Sequence, residues 1–213
     1  MEYSSFKKKL EEKISLKDSF HMIENLKKIN GIDNVADKNI LIEAEFDKNK
    51  ITDILKILKD ENDFNFNQLL DITAVDYPSR EFRFDLIYIL QSLKQNKKII
   101  LKTFLKETDS IVSITNIHKA ADWYERECYD LFGIDFLNHP DLRRIMTDYN
   151  FEGYPLRKDF PLTGHTEVRY DDLEKKVIYE PVKLSQEFRN FDTESPWEGM
   201  ENKLFGDEKS DKE

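Results

Sequence analysis

Residues 82–106, FRFDLIYILQSLKQNKKIILKTFLK, read as two long strands joined by a tight turn. Phe82, Phe84, Leu86, Tyr88 and Leu90 alternate with Arg83, Asp85, Ile87, Ile89 and Gln91. Successive side chains on a strand point to opposite faces, so this period of two lays the large apolar set on one side of a sheet. Ile87 and Ile89 make the other side partly apolar, which predicts a central strand. The polar turn around Gln95 and Asn96 brings 98–106 back alongside. Upstream, NILIEAEF (39–46) and LLDITAVDY (69–77) predict two further strands, the second ending at Pro78. Asp47 is placed to cap a helix whose Ile51, Ile54, Leu55 and Leu58 form a buried stripe. Residues 16–30 predict another helix, with Leu16, Phe20, Ile23 and Leu26 at helical spacing and Gly31 as its stop. Strands joined by hairpins, with helices on one face, predict an α+β fold on a mixed or antiparallel sheet over residues 1–135. Residues 1–15 are expected to form a mobile or helical N-terminal extension.

Composition narrows the function. A chain of 213 residues can bury one well-formed core. Charged residues make up 36% of it, and no apolar run approaches the ~20 residues that span a bilayer, so no direct membrane insertion is expected. The start, MEYSSFKKKLEEKISLKDSF, mixes acids with lysines and argues against a secretory or transit signal. One cysteine rules out an internal disulfide framework and fits a reducing compartment. The net charge of −10 is lopsided: residues 1–120 hold 20 basic and 20 acidic side chains, residues 121–213 hold 13 and 23. Nucleic acid and anionic membrane surfaces are disfavoured as partners, because both want a basic face. A protein with basic grooves is the better match.

Charge and aromatic rings interleave most densely in residues 122–161, DWYERECYDLFGIDFLNHPDLRRIMTDYNFEGYPLRKDFP. The stretch opens as an amphipathic helix, reached through a short segment near 111–117. Ala120, Ala121, Tyr124, Cys128, Leu131 and Phe132 share one arc of it, Asp122, Glu125, Arg126 and Tyr129 face away, and Gly133 is the expected stop. Glu127 lies at the edge of the apolar arc, where an unpaired carboxylate is costly, and Arg143 or Arg144 is its expected partner. Beyond about Phe136 the periodicity fades. Five of six prolines and five of six glycines lie at or beyond Gly133. Apart from a strand candidate at KVIYE (176–180), only aromatics recur, from Tyr149 through Tyr154, Phe160, Tyr170 and Tyr179 to Trp197 and Phe205. Rings at such intervals predict an extended partner-binding arm over 136–205, then a solvated tail at 206–213.

The run Glu125-Arg126-Glu127, Asp130-Leu131-Phe132, His139 and Arg143-Arg144-Ile145-Met146 resembles the signature of the 30 kDa subunit family of respiratory complex I. YPLRKDFPLTG and VIYEPVKLSQEFRNFDTESPWEG extend the likeness, which covers about Ile40 to Gly199. Two positions depart from the pattern: Asn138 stands where glycine is expected, and Cys128 where other small or β-branched residues are common. The resemblance implies a member of the quinone module in the peripheral arm of proton-translocating NADH:quinone oxidoreductase. It implies the 49 kDa subunit and neighbouring iron–sulfur subunits as partners. It also implies a peripheral place on the cytoplasmic side of a bacterial inner membrane, or the matrix side of a mitochondrial one. NADH and quinone would be substrates of the whole complex, with flavin and iron–sulfur clusters held by other subunits. Glu125, Arg126, Glu127, Asp130, His139, Arg143, Arg144, Arg157, Lys158, Asp159 and Phe160 are the residues expected to form subunit contacts or fix the structure. A related membrane-bound hydrogenase or dehydrogenase, or an adaptor without a respiratory role, is the alternative.

The residues themselves point away from chemistry within this chain. Iron–sulfur clusters want about four thiolates, and there is one. His21, His118, His139 and His165 show no paired ligand spacing, and no glycine-rich phosphate loop is present. No cofactor, metal or catalytic residue is therefore expected. Cys128 with His139 has no third member to orient it as a nucleophile pair, so Cys128 reads as core filler. His139-Pro140-Asp141 matches a co-chaperone tripeptide but lacks the basic helix that precedes it there. Two readings compete for Glu125, Glu127, Asp130, Arg143, Arg144, Arg157, Lys158 and Asp159. One is a network of ion pairs that fixes the strap on its domain and on a neighbour; the other is a proton-carrying or quinone-facing site. The first is the expected one, since stable pairing holds carboxylates ionised rather than poised for proton transfer.

Overall fold

A computed structural model describes Lys9, residues 20–22 and residues 41–183 of the chain. The expectations for 1–15 (save Lys9), for most of 16–30 and for 184–213 lie outside the described residues. The described part divides into two units, one running to Leu162 and the other beginning at Thr163.

The first unit is built on a mixed sheet of β1 (Phe20–Met22), β2 (Leu41–Phe46), β3 (Gln68–Asp76), β4 (Phe84–Ser92) and β5 (Lys97–Leu105), in the order β1-β2-β5-β4-β3. Among the described strands of this sheet, β2 and β5 pair parallel and the others antiparallel. β4 lies inside the sheet, paired with β5 from Phe84↔Leu105 to Ser92↔Lys97 and with β3 on its other side. The alternation of its sequence survives: Phe84, Leu86, Tyr88, Leu90 and Ser92 are buried, the residues between them half-buried. Asn96 closes the turn at φ 50, a left-handed conformation that asparagine tolerates.

Among the described residues, two helices cover one face. Asp47 accepts a hydrogen bond from the Asn49 N–H at 3.0 Å, capping a short turn that runs into α1 (Ile51–Asp60). α1 buries Ile51, Ile54, Leu55 and Leu58, as its spacing requires. α2 (Ala121–Phe132) packs on β3 and shares one apolar core with α1 and the sheet. Gly133 ends α2 at φ 74, its N–H donating to the Tyr129 carbonyl. β6 (Ser110–Val112) and β7 (Asp135–Leu137) form a small parallel pair beside it.

The helix expected over 16–30 is contradicted at its one described part. Phe20–Met22 is a strand, antiparallel to β2 from Phe20↔Phe46 to Met22↔Ala44. The free backbone groups along that edge of β2 need partners, and satisfying them overrides a helical spacing of apolar side chains.

The segment expected as an arm from 136 falls into parts. Residues 136–162 belong to the first unit. The second unit holds a hairpin of β8 (Thr166–Asp171) and β9 (Lys176–Pro181), registered from Thr166↔Pro181 to Asp171↔Lys176. β9 covers the strand expected at 176–180. β8 carries too many charges to read as a strand and is ordered by pairing with β9.

Candidate functional site

α2 presents its carboxylates differently from the sequence expectation. Glu125 does not face away. It is wholly buried, one turn from Ala121 and Cys128 on the core-facing stripe. Its Oε1 accepts the Ile114 N–H at 2.7 Å, while Oε2 meets no hydrogen-bond donor among the described residues. Burial pushes this carboxyl up to about 7, against the opposing pull of the Ile114 and Ser113 donors. His139 lies beside it with its side chain fully enclosed. The Nδ1 atom accepts the Asp141 N–H at 3.1 Å, which leaves Nε2 to donate to the Asp122 carbonyl at 3.2 Å. Nε2 is also 3.7 Å from Glu125 Oε2. His139 thus ties the start of the irregular strap at 138–162 to the first turn of α2. The strap leaves β7 through Asn138, at φ 62, a conformation for which glycine or asparagine is suited.

The last turn of α2 holds the next tie. Asp130 is buried and accepts from Arg144 Nε at 2.6 Å, from the Ile145, Met146 and Thr147 N–H groups at 2.6–2.9 Å, and from the Thr147 hydroxyl at 2.7 Å. Burial alone raises the Asp130 carboxyl, but these donors outweigh it and hold the group well below the usual carboxylate range. Arg144 also donates to the carbonyls of Asp130, Phe151 and Gly153. Its guanidinium carbon lies 5.4 Å from the centre of the Tyr154 ring.

A third tie was not visible in the sequence. At the end of β3, Asp76 is buried and takes a two-pronged ion pair from Arg83 at 2.8 and 3.0 Å, plus the Lys158 N–H at 2.7 Å. Arg83 also reaches Asp159 at 2.8 Å and Glu107 at 3.1 Å. Arg157 donates to the Phe132 carbonyl at 2.6 Å and to Glu107 at 2.7 Å, stacked on Tyr154 at 4.4 Å. Tyr154 and Arg157 close over Gly133, where an added Cβ would sit 2.6 Å from a Tyr154 ring carbon. Phe160 packs on Phe151 at 5.8 Å between ring centres. Asp76, Arg83 and Glu107 are partners of the strap that the sequence did not reveal. Arg83 reads as one polar member of a strand alternation, and Lys158 lies 82 positions beyond Asp76.

Arg143 and Arg144 do not pair with Glu127. Arg143 is held by Asp141 at 2.8 Å and Arg144 by Asp130. Arg126 donates to the Arg143 carbonyl at 3.0 Å. Glu127 faces a shallow groove instead. Cys128 and His139 are not partners either: the buried thiol donates to the Ile72 carbonyl at 3.2 Å, and burial pushes its pKa up. Among the described residues no group of three or more His, Cys, Asp or Glu is placed to hold a metal, and no helix is long and apolar enough to cross a membrane. The arrangement is a set of clasps, chemically suited to fixing a strap on α2 and the sheet.

The family described as respiratory-chain NADH dehydrogenase, 30 Kd subunit, matches residues 44–166. That span holds α2, all three clasps and the whole strap. A protein of Parvibaculum lavamentivorans that is named as one of the subunits of NADH-quinone oxidoreductase is 56% identical over 173 residues, 81% of this chain and 84% of that one. The protein of the same name from Sinorhizobium medicae is 57% identical over 157 residues, covering 74% and 78%. A chain from the membrane-bound sulfane sulfur reductase, an archaeal respiratory membrane complex, superposes with a TM-score of 0.60 at 26% identity, over 75% of this chain and 85% of that one. With α2, the strap and the full set of clasps inside the matched span, the chain belongs to the respiratory-chain NADH dehydrogenase 30 kDa subunit family.

Proposed function

We propose that this chain is a scaffolding subunit in the peripheral arm of NADH-quinone oxidoreductase, holding cluster- and quinone-binding neighbours in register while it carries no cofactor itself. Electron transfer slows steeply with distance, so a rigid clamp between cluster-bearing subunits matters without touching an electron. The observation that carries the role is the clasp chemistry. Asp130 and Asp76 are both held below the usual carboxylate range by the donors that pin the strap, so they stay ionised and bound. Carboxylates so held are suited to fixing geometry rather than to passing protons. Glu125, raised to about 7, is the carboxylate of the network that stands apart. The surface they fix belongs against the 49 kDa subunit and its iron–sulfur neighbours, on the cytoplasmic side of a bacterial inner membrane. The stretch from Thr163 onward, with exposed Val168, Tyr170, Val177 and Tyr179, serves as the partner-binding arm.

A second reading rests on the likeness to the sulfane sulfur reductase chain, since the same scaffold would serve a related membrane complex. Purification of the native assembly through a tag on this chain separates the two. Co-purification of flavin- and NADH-binding subunits with NADH:quinone activity supports the first role. A complex lacking both supports the second.

A further inference from the structure

Glu127 is left without a partner by the clasps around it. Ala120, Trp123, Tyr124, Glu127, Ile145 and Met146 line a groove of about 400 Å³ between α2 and the strap. Trp123 is 66% exposed and Met146 60%, large values for an indole and a thioether beside a packed helix. Within this apolar lining the Glu127 carboxylate makes no hydrogen bond or ion pair to any described residue. Arg144 and Arg143 are paired with Asp130 and Asp141, while Arg126 donates its Nε to the Arg143 carbonyl and lies with its guanidinium carbon 6.0 Å from the centre of the Trp123 ring. A half-buried carboxylate in an apolar groove, with an aromatic wall at its rim, complements a cation on an apolar stem.

We infer that this groove receives an arginine or lysine side chain of a neighbouring subunit, its methylenes against Trp123 and Met146 and its charge on Glu127. The inference rests on the scaffold role proposed above and names one contact of it. Aromatic walls flanking a desolvated charge are where interface energy concentrates. The acidic balance of residues 121–213, 23 acids against 13 bases, favours a basic partner over an acidic one.

The test uses the full chain in the membrane-assembled enzyme. A photo-crosslinking amino acid replaces Trp123, and adducts are mapped to peptides after purification. Separately, Glu127→Lys and Glu127→Gln are compared for assembled complex per cell and for thermal unfolding of the isolated chain. Adducts on another subunit, within a few residues of a lysine or arginine, are expected. So is a loss of assembled complex of roughly 10-fold for Glu127→Lys and roughly 3-fold for Glu127→Gln, with unfolding of the isolated chain unchanged. Adducts confined to this chain, or full assembly of Glu127→Lys, would overturn the inference and leave the scaffold role standing. Loss of assembly matched by loss of folding in the isolated chain also overturns it, because the carboxylate would then serve the fold. Failure of the unsubstituted chain to enter any NADH-oxidising complex would instead sink the scaffold role.

Discussion

Asp130 and Glu125 lie 5 positions apart on α2, both buried, and their surroundings drive them in opposite directions. Asp130 is depressed by its donors, so the stability it contributes is present above the ordinary carboxylate range and lost only as pH falls below it. Asp130→Asn, or Arg144→Ala, leaves part of a buried clasp unmatched and is expected to cost ~3 kcal/mol by denaturant titration at neutral pH. Glu125 has the opposite sign. Raised from 4.5 to about 7, it favours the folded state fully below 4.5 and loses that contribution as pH rises through 7. The unsubstituted chain is therefore expected to lose ~3 kcal/mol between pH 4.5 and 8 from this group alone. Glu125→Gln should flatten that slope, and an unchanged pH profile would contradict the assignment. The residue types of this network were legible in the sequence, but their pairing was not. The buried stripe of α2 runs through Ala121, Glu125, Cys128 and Phe132. A carboxylate looks foreign in such a stripe until the Ile114 N–H, 11 positions upstream, is known to meet it.

The elements split by how local their causes are. β4, β5 and α1 follow from alternation, a polar turn and a capped apolar stripe, all written within their own residues, and they were legible. β1 and β8 were not, because each is ordered by a neighbouring strand rather than by its own pattern. The strap at 138–162 read as an arm because its sequence has no period. What holds it is a few long-range hydrogen bonds to Asp130, Asp76 and the Phe132 carbonyl. A chain cut after Leu162 is expected to keep the unfolding midpoint of the full chain within a few degrees, and to fail to join the 49 kDa subunit on co-purification. A cut before Arg144 removes two clasps and should unfold the first unit at markedly lower temperature.

At the scale of the molecule, the α+β architecture and the family were legible together, because the ionic signature of 125–146 is dense and its spacing fixed. The purpose of that signature was legible only in part. Its charges hold a strap in place, with partners such as Arg83 and Glu107 drawn from distant parts of the chain. A subunit built this way should fail by not assembling. The most direct measurement is NADH:quinone turnover per assembled complex, beside the amount of complex per cell, for Arg144→Ala and Glu125→Gln. Scaffolding requires less complex for Arg144→Ala and turnover per complex within about twofold of the unsubstituted enzyme for both. Full assembly of either variant with turnover down about tenfold or more would place chemistry in this chain and contradict the scaffold role.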